Sequence, residues 1–194
     1  MQDQLAGFNS YLLRWYKRHP EMHRVQGAFT MERLKVSGDW PKLKVKAAAT
    51  RHMSYFVMDM LDEFTPSGTS THFERVRAVC SLLCRFYTII HDEGQFLSAS
   101  AKSELYDLSG LLRGIYVNLS REALHSGVKL WKCTGKLHLF EHLCQQQTSW
   151  GNPTSHWLYI DEDLQRICAK LGISAHINTM DYSVLYKWLV LVFD

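Results

Sequence analysis

Apolar residues recur at spacings of three and four along most of the chain, the period of a helix face that packs on a core. Leu5, Phe8, Leu12 and Trp15 form the first such stripe. His19-Pro20 ends it, because the residue before a proline is pushed out of the α region. Between Gly27 and the turn "SGDWP", the short segment "FTMERLKV" fits helix or strand, and we read it as helix. Pro41 suits the first turn of a helix. From there Met53, Phe56, Val57, Met60, Leu61 and Phe64 keep one stripe until "TPSGTS" breaks it. Thr71 and Glu74 have the spacing of a capping box. They open a helix with Phe73, Val76, Cys80, Leu83, Tyr87 and Ile90 on one side, which Gly94 is placed to end.

From about Ser98 to His125, Leu105, Leu108, Leu112, Ile115 and Leu119 mark a long helix followed by Gly127. Gly110 and Gly114 inside it cost about 1 kcal/mol each relative to alanine, which predicts close packing of a neighbouring helix there. Thr134 is placed to cap a helix through Gln147, and "SWGNPTSH" reads as a loop. Trp157, Ile160, Leu164, Ile167 and Leu171 form the next stripe, closed by Gly172. A last helix from about Thr179 carries Leu185, Trp188, Leu189 and Val192. No segment alternates convincingly as a half-buried strand would. The expected fold is all-α: one domain over residues 1–194, a bundle of seven to eight helices without a fixed-period repeat. The apolar ending "LYKWLVLVFD" has no polar tail and reads as a truncated product or a fragment of a larger protein.

Composition adds limits rather than a function. At 46% hydrophobic and 21% charged, the 194 residues are ordinary globular material, long enough for one self-sufficient core. Every apolar run meets a charge before the ~18 residues that a bilayer span requires, so no membrane partner is expected. The first residues lack a basic segment followed by a small-residue cleavage site, which favours an intracellular setting, nuclear or cytoplasmic. Five cysteines without a C-x-x-C read as reduced thiols, with Cys80 and Cys84 sharing a helix face as packing residues.

Charge is distributed unevenly. Residues 1–52 hold ten Lys/Arg against four Asp/Glu, and the remainder holds twelve against fifteen. Arg14, Lys17, Arg18, Lys42, Lys44, Lys46 and Arg51 carry this basic character, with Trp15, Tyr16 and Trp40 between them. Cations interleaved with aromatics match phosphate contact plus base stacking. A solvated helix face with buried lysine stems is the structural alternative.

Two short segments carry candidate chemistry. In "HLFEH", His138 and His142 lie one helical turn apart with Glu141 beside the second. The pattern His-x-x-Glu-His is that of inverted zincins, where the histidines hold zinc and the Glu is general base to a metal-bound water. Glu162 is the candidate third ligand for zinc or another divalent metal. In "IDED", Asp161, Glu162 and Asp163 suit a Mg²⁺ ion with a phosphate, and equally the acidic first turn of a helix. We expect the two histidines to orient their helix by hydrogen bonds to this acidic segment. Phosphate loops, dinucleotide fingerprints and nucleophile elbows are absent from the sequence.

The pair "GKLHLFEHL" and "WGNPTSHWLYIDEDL" resembles the Lys-x-His-x-x-x-His-Leu and aromatic-x-x-Glu segments near the end of eukaryotic cut-and-paste transposases of the CACTA and Plavaka type. The similarity covers about residues 134–194. It implies an RNase H-like core with a helical insertion, and a metal-binding Asp-Asp-Glu triad whose last acid matches Glu162. Lys136, His138 and His142 match the first segment. The chain departs from the family upstream, where no strand-like run carries the two aspartates, and Asp59 and Asp62 sit in a helical pattern. The resemblance therefore implies the helical portion of such a protein, with any catalytic acid orphaned.

Three readings follow. The first is a mobile-element-derived helical domain that binds nucleic acid through the seven basic residues, without catalysis of its own. The second is a helical interaction module that meets a protein partner or a second copy through apolar surface around Trp188 and Val192. The third is a zinc-dependent hydrolase using His138, His142 and Glu162, with Glu141 as base.

Overall fold

The computed structural model describes residues 2–34, 40–41, 43, 45, 47–65, 68, 70–146, 151–156, 171 and 173–193. The fold is all-α, and no strand occurs among the described residues. Seven α-helices are described: α1 (Gln2–Arg18), α2 (Met31–Leu34), α3 (Ala47–Phe64), α4 (Thr71–Asp92), α5 (Ala99–His125), α6 (Gly135–Gln145) and α7 (Met180–Phe193). None of the described helices is long and apolar enough to cross a membrane. The chain divides into two compact units, Met1–Ser155 and His156–Asp194.

In the first unit the α1 stripe is the heart of an aromatic core. Tyr11, Leu12, Trp15 and Tyr16 pack with Val25, Phe29, Ala49, Met53 and Phe56. Phe56 on α3 is fully buried and meets the rings of Phe8, Tyr11 and Trp15 at centroid distances of 5.4, 5.6 and 5.5 Å. Asn9 fixes the loop that returns from α1, since its side chain accepts from Phe29 N (2.7 Å) and donates to Phe29 O (3.0 Å).

Helices α3, α4, α5 and α6 then pack in succession, α3 on α4, α4 on α5 and α5 on α6. The partners run antiparallel, because the start of α4 meets the end of α3 through Arg77 and Asp62, and the start of α5 meets the later part of α4 through Arg85 and Glu104. Phe140 of α6 reaches Phe86 of α4 at 4.9 Å. On α5 the face that carries Leu105, Leu108, Leu112 and Leu119 is buried, as its periodicity predicts. Its end is a Schellman motif: Val128 N donates to Ala123 O, Gly127 N donates to Leu124 O, and Gly127 takes φ 67°.

Several boundaries differ from the sequence expectation. Pro41, Leu43 and Val45 lie outside any helix, and α3 opens at Ala47. A lysine-rich stretch opposes the positive end of a helix dipole, while "AAA" is the first strong helix-forming run. The cap of α4 is Ser70, whose hydroxyl accepts from Phe73 N, and Glu74 instead accepts from Gly68 N (2.9 Å). Phe73 is exposed, and the buried face of α4 is Val79, Cys80, Phe86, Ile89 and Ile90. Among the described residues, a Cβ on Gly110 or Gly114 meets no atom within 4 Å, so no described helix presses there. Thr134 precedes α6 without a side-chain cap bond.

The loop "SWGNPTSH" contains a 3-10 turn, Pro153–His156, and a buried anchor, Asn152. Asn152 Nδ2 donates to the carbonyls of Ile90, Glu93 and Gly94 at 2.9, 3.2 and 2.9 Å, closing the end of α4 from a distant part of the chain.

In the second unit, a 3-10 turn (Ile177–Thr179) leads into α7, and Lys187 Nζ donates to Ser174 Oγ at 3.1 Å. Tyr182, Leu185, Tyr186 and Val190 of α7 are exposed. The stripe from Trp157 to Ile167 and the side chains of Trp188 and Val192 lie outside the described residues.

Candidate functional site

Arg14, Lys17 and Arg18 sit in the last turns of α1 at spacings of three and four, which places them on one flank of the helix. All three are exposed, and none forms an ion pair with a carboxylate among the described residues. Four of the five arginines of α4 and α5 behave differently. Arg75 pairs with Glu122, Arg77 with Asp62, Arg85 with Glu104 at 2.5 Å and Arg113 with Glu141 at 2.8 Å.

The cause lies in what faces α1. The acids of α3 nearest to it hold other groups, Asp59 accepting from Trp15 Nε1 at 2.6 Å with His19 Nε2 at 3.6 Å, and Glu63 accepting from the Tyr11 hydroxyl at 2.7 Å. Arg14 rests over the Tyr11 ring, 5.9 Å from its centroid, a cation-π contact that leaves its charge toward solvent.

Two of the three aromatics expected to stack on bases are not accessible for it. Trp15 and Tyr16 are buried members of the core, and only Trp40 of the three is partly exposed. Their place in the apolar stripe outweighs their position among cations. Lys42, Lys44 and Lys46 lie outside the described residues.

Arg51, the remaining predicted cation, lines a cavity of about 350 Å³. Three segments build it. The turn after α1 brings Glu21 and His23, the start of α3 brings Arg51, His52 and Tyr55, and the end of α4 brings Tyr87, His91 and Asp92. Antiparallel packing of α3 on α4 sets those two helix ends side by side. His23 and His52 meet nearly at right angles, with centroids 5.2 Å apart. Tyr55 is held by its hydroxyl, which donates to Cys84 O at 3.2 Å.

Burial pushes the His52 imidazole from 6.5 down to about 4, with the Arg51 and His23 charges adding to the effect. The ring is therefore neutral at pH 7. Arg51 Nη2 lies 2.8 Å from His52 Nε2, and a guanidinium only donates. Nε2 must accept, which leaves the ring proton on Nδ1, toward the Met22 sulfur.

The sequence reading missed this cavity. Its signal was present in "ATRHMSY" and "YTIIHDE", polar and aromatic groups at the two ends of helices that a short break folds back on each other.

His138 and His142 are adjacent on α6, with their Nε2 atoms 2.8 Å apart and ring centroids at 4.1 Å. One nitrogen donates and the other accepts, so at least one ring is neutral in this contact. Glu141 is mostly buried against Arg113, tying α6 to α5, and its second oxygen lies 3.9 Å from His138 Nδ1. Among the described residues no three His, Cys, Asp or Glu side chains gather as a metal would require. Asp161, Glu162 and Asp163 lie outside the described residues, and with them the third ligand and the expected hydrogen bonds to the histidines.

The four described cysteines are free. Burial pushes the Cys80 thiol up to about 11 and the Cys144 thiol up to about 12, so both are inert packing groups at pH 7.

No family model, curated protein or solved structure matches this chain.

Proposed function

We propose that the chain is a helical nucleic-acid-binding domain, without catalysis of its own, that contacts phosphates through Arg14, Lys17 and Arg18. The observation that carries this reading is the partition of cations. Arg75, Arg77, Arg85 and Arg113, four of the five arginines of α4 and α5, are consumed by ion pairs within the fold, whereas the cations of α1 form none with a carboxylate among the described residues. Unpaired cations on one helix flank are the minimum that phosphate binding needs, since each phosphate contact gains by releasing a condensed counterion. Arg51 and the three lysines of "KLKVK" extend the same basic segment in sequence. A mobile-element origin is part of this proposal, resting on the segments around Lys136, His138, His142 and Glu162, and a nuclear or cytoplasmic setting goes with it.

A second reading is favoured by the exposed Tyr182, Leu185, Tyr186 and Val190 of α7, which suit contact with a protein partner or a second copy. The zinc-hydrolase reading ranks behind both, because Glu141, its general base, is already paired with Arg113.

Fluorescence anisotropy with labelled single-stranded and duplex oligonucleotides over a salt series separates the first two. Binding that weakens with salt is expected. Arg14→Ala/Lys17→Ala/Arg18→Ala should flatten the slope of log affinity against log salt by about 2, for three phosphate contacts on a single strand. Absence of binding at low salt, or an unchanged slope in the triple variant, refutes the proposal. Salt-insensitive self-association in the same samples selects the interaction module.

A further inference from the structure

We propose that His138 and His142 form an open two-histidine chelate on α6 for a late first-row divalent ion, copper(II) before zinc. The site uses neither Glu162 nor a general base, and it does not depend on the nucleic-acid reading.

Convergence of the two rings is the first argument. Residues one helical turn apart share a face, and here the two Nε2 atoms meet at 2.8 Å with ring centroids at 4.1 Å. A hydrogen bond between two imidazole nitrogens aims two lone-pair positions at one point, where a single proton sits. An ion that takes the place of that proton gains both nitrogens. His138 is exposed and His142 partly so, and an ion reaches them from solvent.

The separation selects the metal. An imidazole nitrogen lies about 2.0–2.1 Å from a bound first-row ion such as zinc. At that bond length two nitrogens stand about 2.8–3.0 Å apart across the right angle of a tetragonal site, and about 3.3–3.4 Å apart across a tetrahedral angle. The observed 2.8 Å matches the right angle that suits copper(II) and nickel(II), and it is too short for the tetrahedron that zinc takes in protein sites. The Irving–Williams order points the same way, placing copper above both nickel and zinc.

The surroundings hold the rings in place. On its inner side α6 is anchored by buried Cys144 and by Phe140 against Phe86. Glu141, fixed to Arg113 at 2.8 Å, sets its other oxygen 3.9 Å from His138 Nδ1. That is a charge contact rather than a hydrogen bond, and it favours a His138 proton on Nδ1, the side on which ligating histidines ordinarily face a carboxylate or carbonyl. His138 Nε2 then accepts and His142 Nε2 donates. Coordination requires only that the His142 proton move to Nδ1, after which two neutral rings turn a lone pair to the ion. No third His, Cys, Asp or Glu gathers at the pair among the described residues, so water or a ligand from solution completes the coordination. Two protein donors make an open, exchangeable site rather than a closed structural one.

The test titrates copper(II), nickel(II) and zinc(II) into the full chain and into His138→Ala and His142→Ala, with glycine present as a weak competing chelator. Ten histidines are present in the chain, so the site is read as the difference between the native protein and each variant. One equivalent of copper(II) is expected to be lost in either variant. Its electron paramagnetic resonance difference spectrum should be that of a tetragonal ion bound by two imidazole nitrogens. Nickel(II) and zinc(II) should bind the pair more weakly. Copper should also raise the urea midpoint of the native protein more than that of either variant, because an ion that bridges one turn of α6 binds the folded chain alone. Far-UV circular dichroism confirms that the alanine variants keep their helices. Equal copper binding by native and variant proteins overturns the inference, as does zinc held by the pair more tightly than copper. A difference spectrum with three or four coordinated nitrogens overturns the open two-histidine site.

Discussion

His52 makes stability depend on pH in a direction set by its burial. In the folded protein its imidazole is held down at about 4, against 6.5 for the free group. Below pH 6.5 the unfolded chain takes up a proton that the folded chain refuses, so acid favours unfolding. The loss begins near 6.5, grows as pH falls toward 4, and stops growing below that. Taken at face value the difference corresponds to about 3 kcal/mol, and solvent around this half-buried ring screens it to about 1–2 kcal/mol. Other carboxylates and histidines titrate over the same window, so the effect must be read as a difference. Urea unfolding of the native sequence and of His52→Leu at pH 7 and at pH 4.5 isolates it. The native sequence should lose about 1–2 kcal/mol more than the variant between the two pH values. Parallel losses would show that His52 protonates in the folded state at its ordinary pH. The depression of its pKa by burial would then be wrong.

Asn152→Asp keeps the shape of the anchor but replaces its donor with an acceptor facing the carbonyls of Ile90, Glu93 and Gly94. The Ile90 carbonyl is the buried one of the three, so the lost donor costs about 1 kcal/mol or more there and placing an ionised carboxylate at this buried site adds to it; a loss of about 2 kcal/mol or more is expected in urea unfolding, and a loss under about 1 kcal/mol contradicts the capping role. Gly114→Ala should raise stability by about 1 kcal/mol, because the added Cβ meets no atom of the described residues within 4 Å and alanine is the better helix former. A drop in the thermal midpoint instead of a rise would mean that something presses on that face after all.

Much of the helical layout was legible because it depends on near neighbours in sequence. The stripe Leu5, Phe8, Leu12 and Trp15 identifies α1 and the side of it that is buried, and Ser98 to Gly127 contains its own cap, stripe and Schellman glycine. Errors arose where one residue served two patterns. Trp15 and Tyr16 stand among cations and also in the apolar stripe, and burial of a large aromatic outweighs a speculative stack in solvent. Pro41 satisfies the rule for a first helical turn, yet the lysines after it oppose the dipole that such a turn creates. Gly110 and Gly114 look like a packing seam, but they face open space among the described residues.

The candidate site was less legible, and the reason is topological. Arg51 could be named as a cation from sequence, but its neighbours His23 and His91 lie on separate segments that only the antiparallel α3–α4 hairpin brings together. Nor does composition reveal which cations remain available to a ligand. Residues 1–52 hold ten Lys/Arg, which says nothing about pairing. Availability is decided by what each helix faces. Arg77, Arg85 and Arg113 look across at acids on the adjoining helix, whereas the acids opposite α1 are already taken by the Trp15 indole and the Tyr11 hydroxyl. Those two neutral donors anchor the aromatic core and aim the two carboxylates without removing their charge, and neither acid forms an ion pair with Arg14, Lys17 or Arg18. Packing of the core therefore also sets where those two acids are held, and the cations on the flank of α1 keep no carboxylate within ion-pair reach among the described residues.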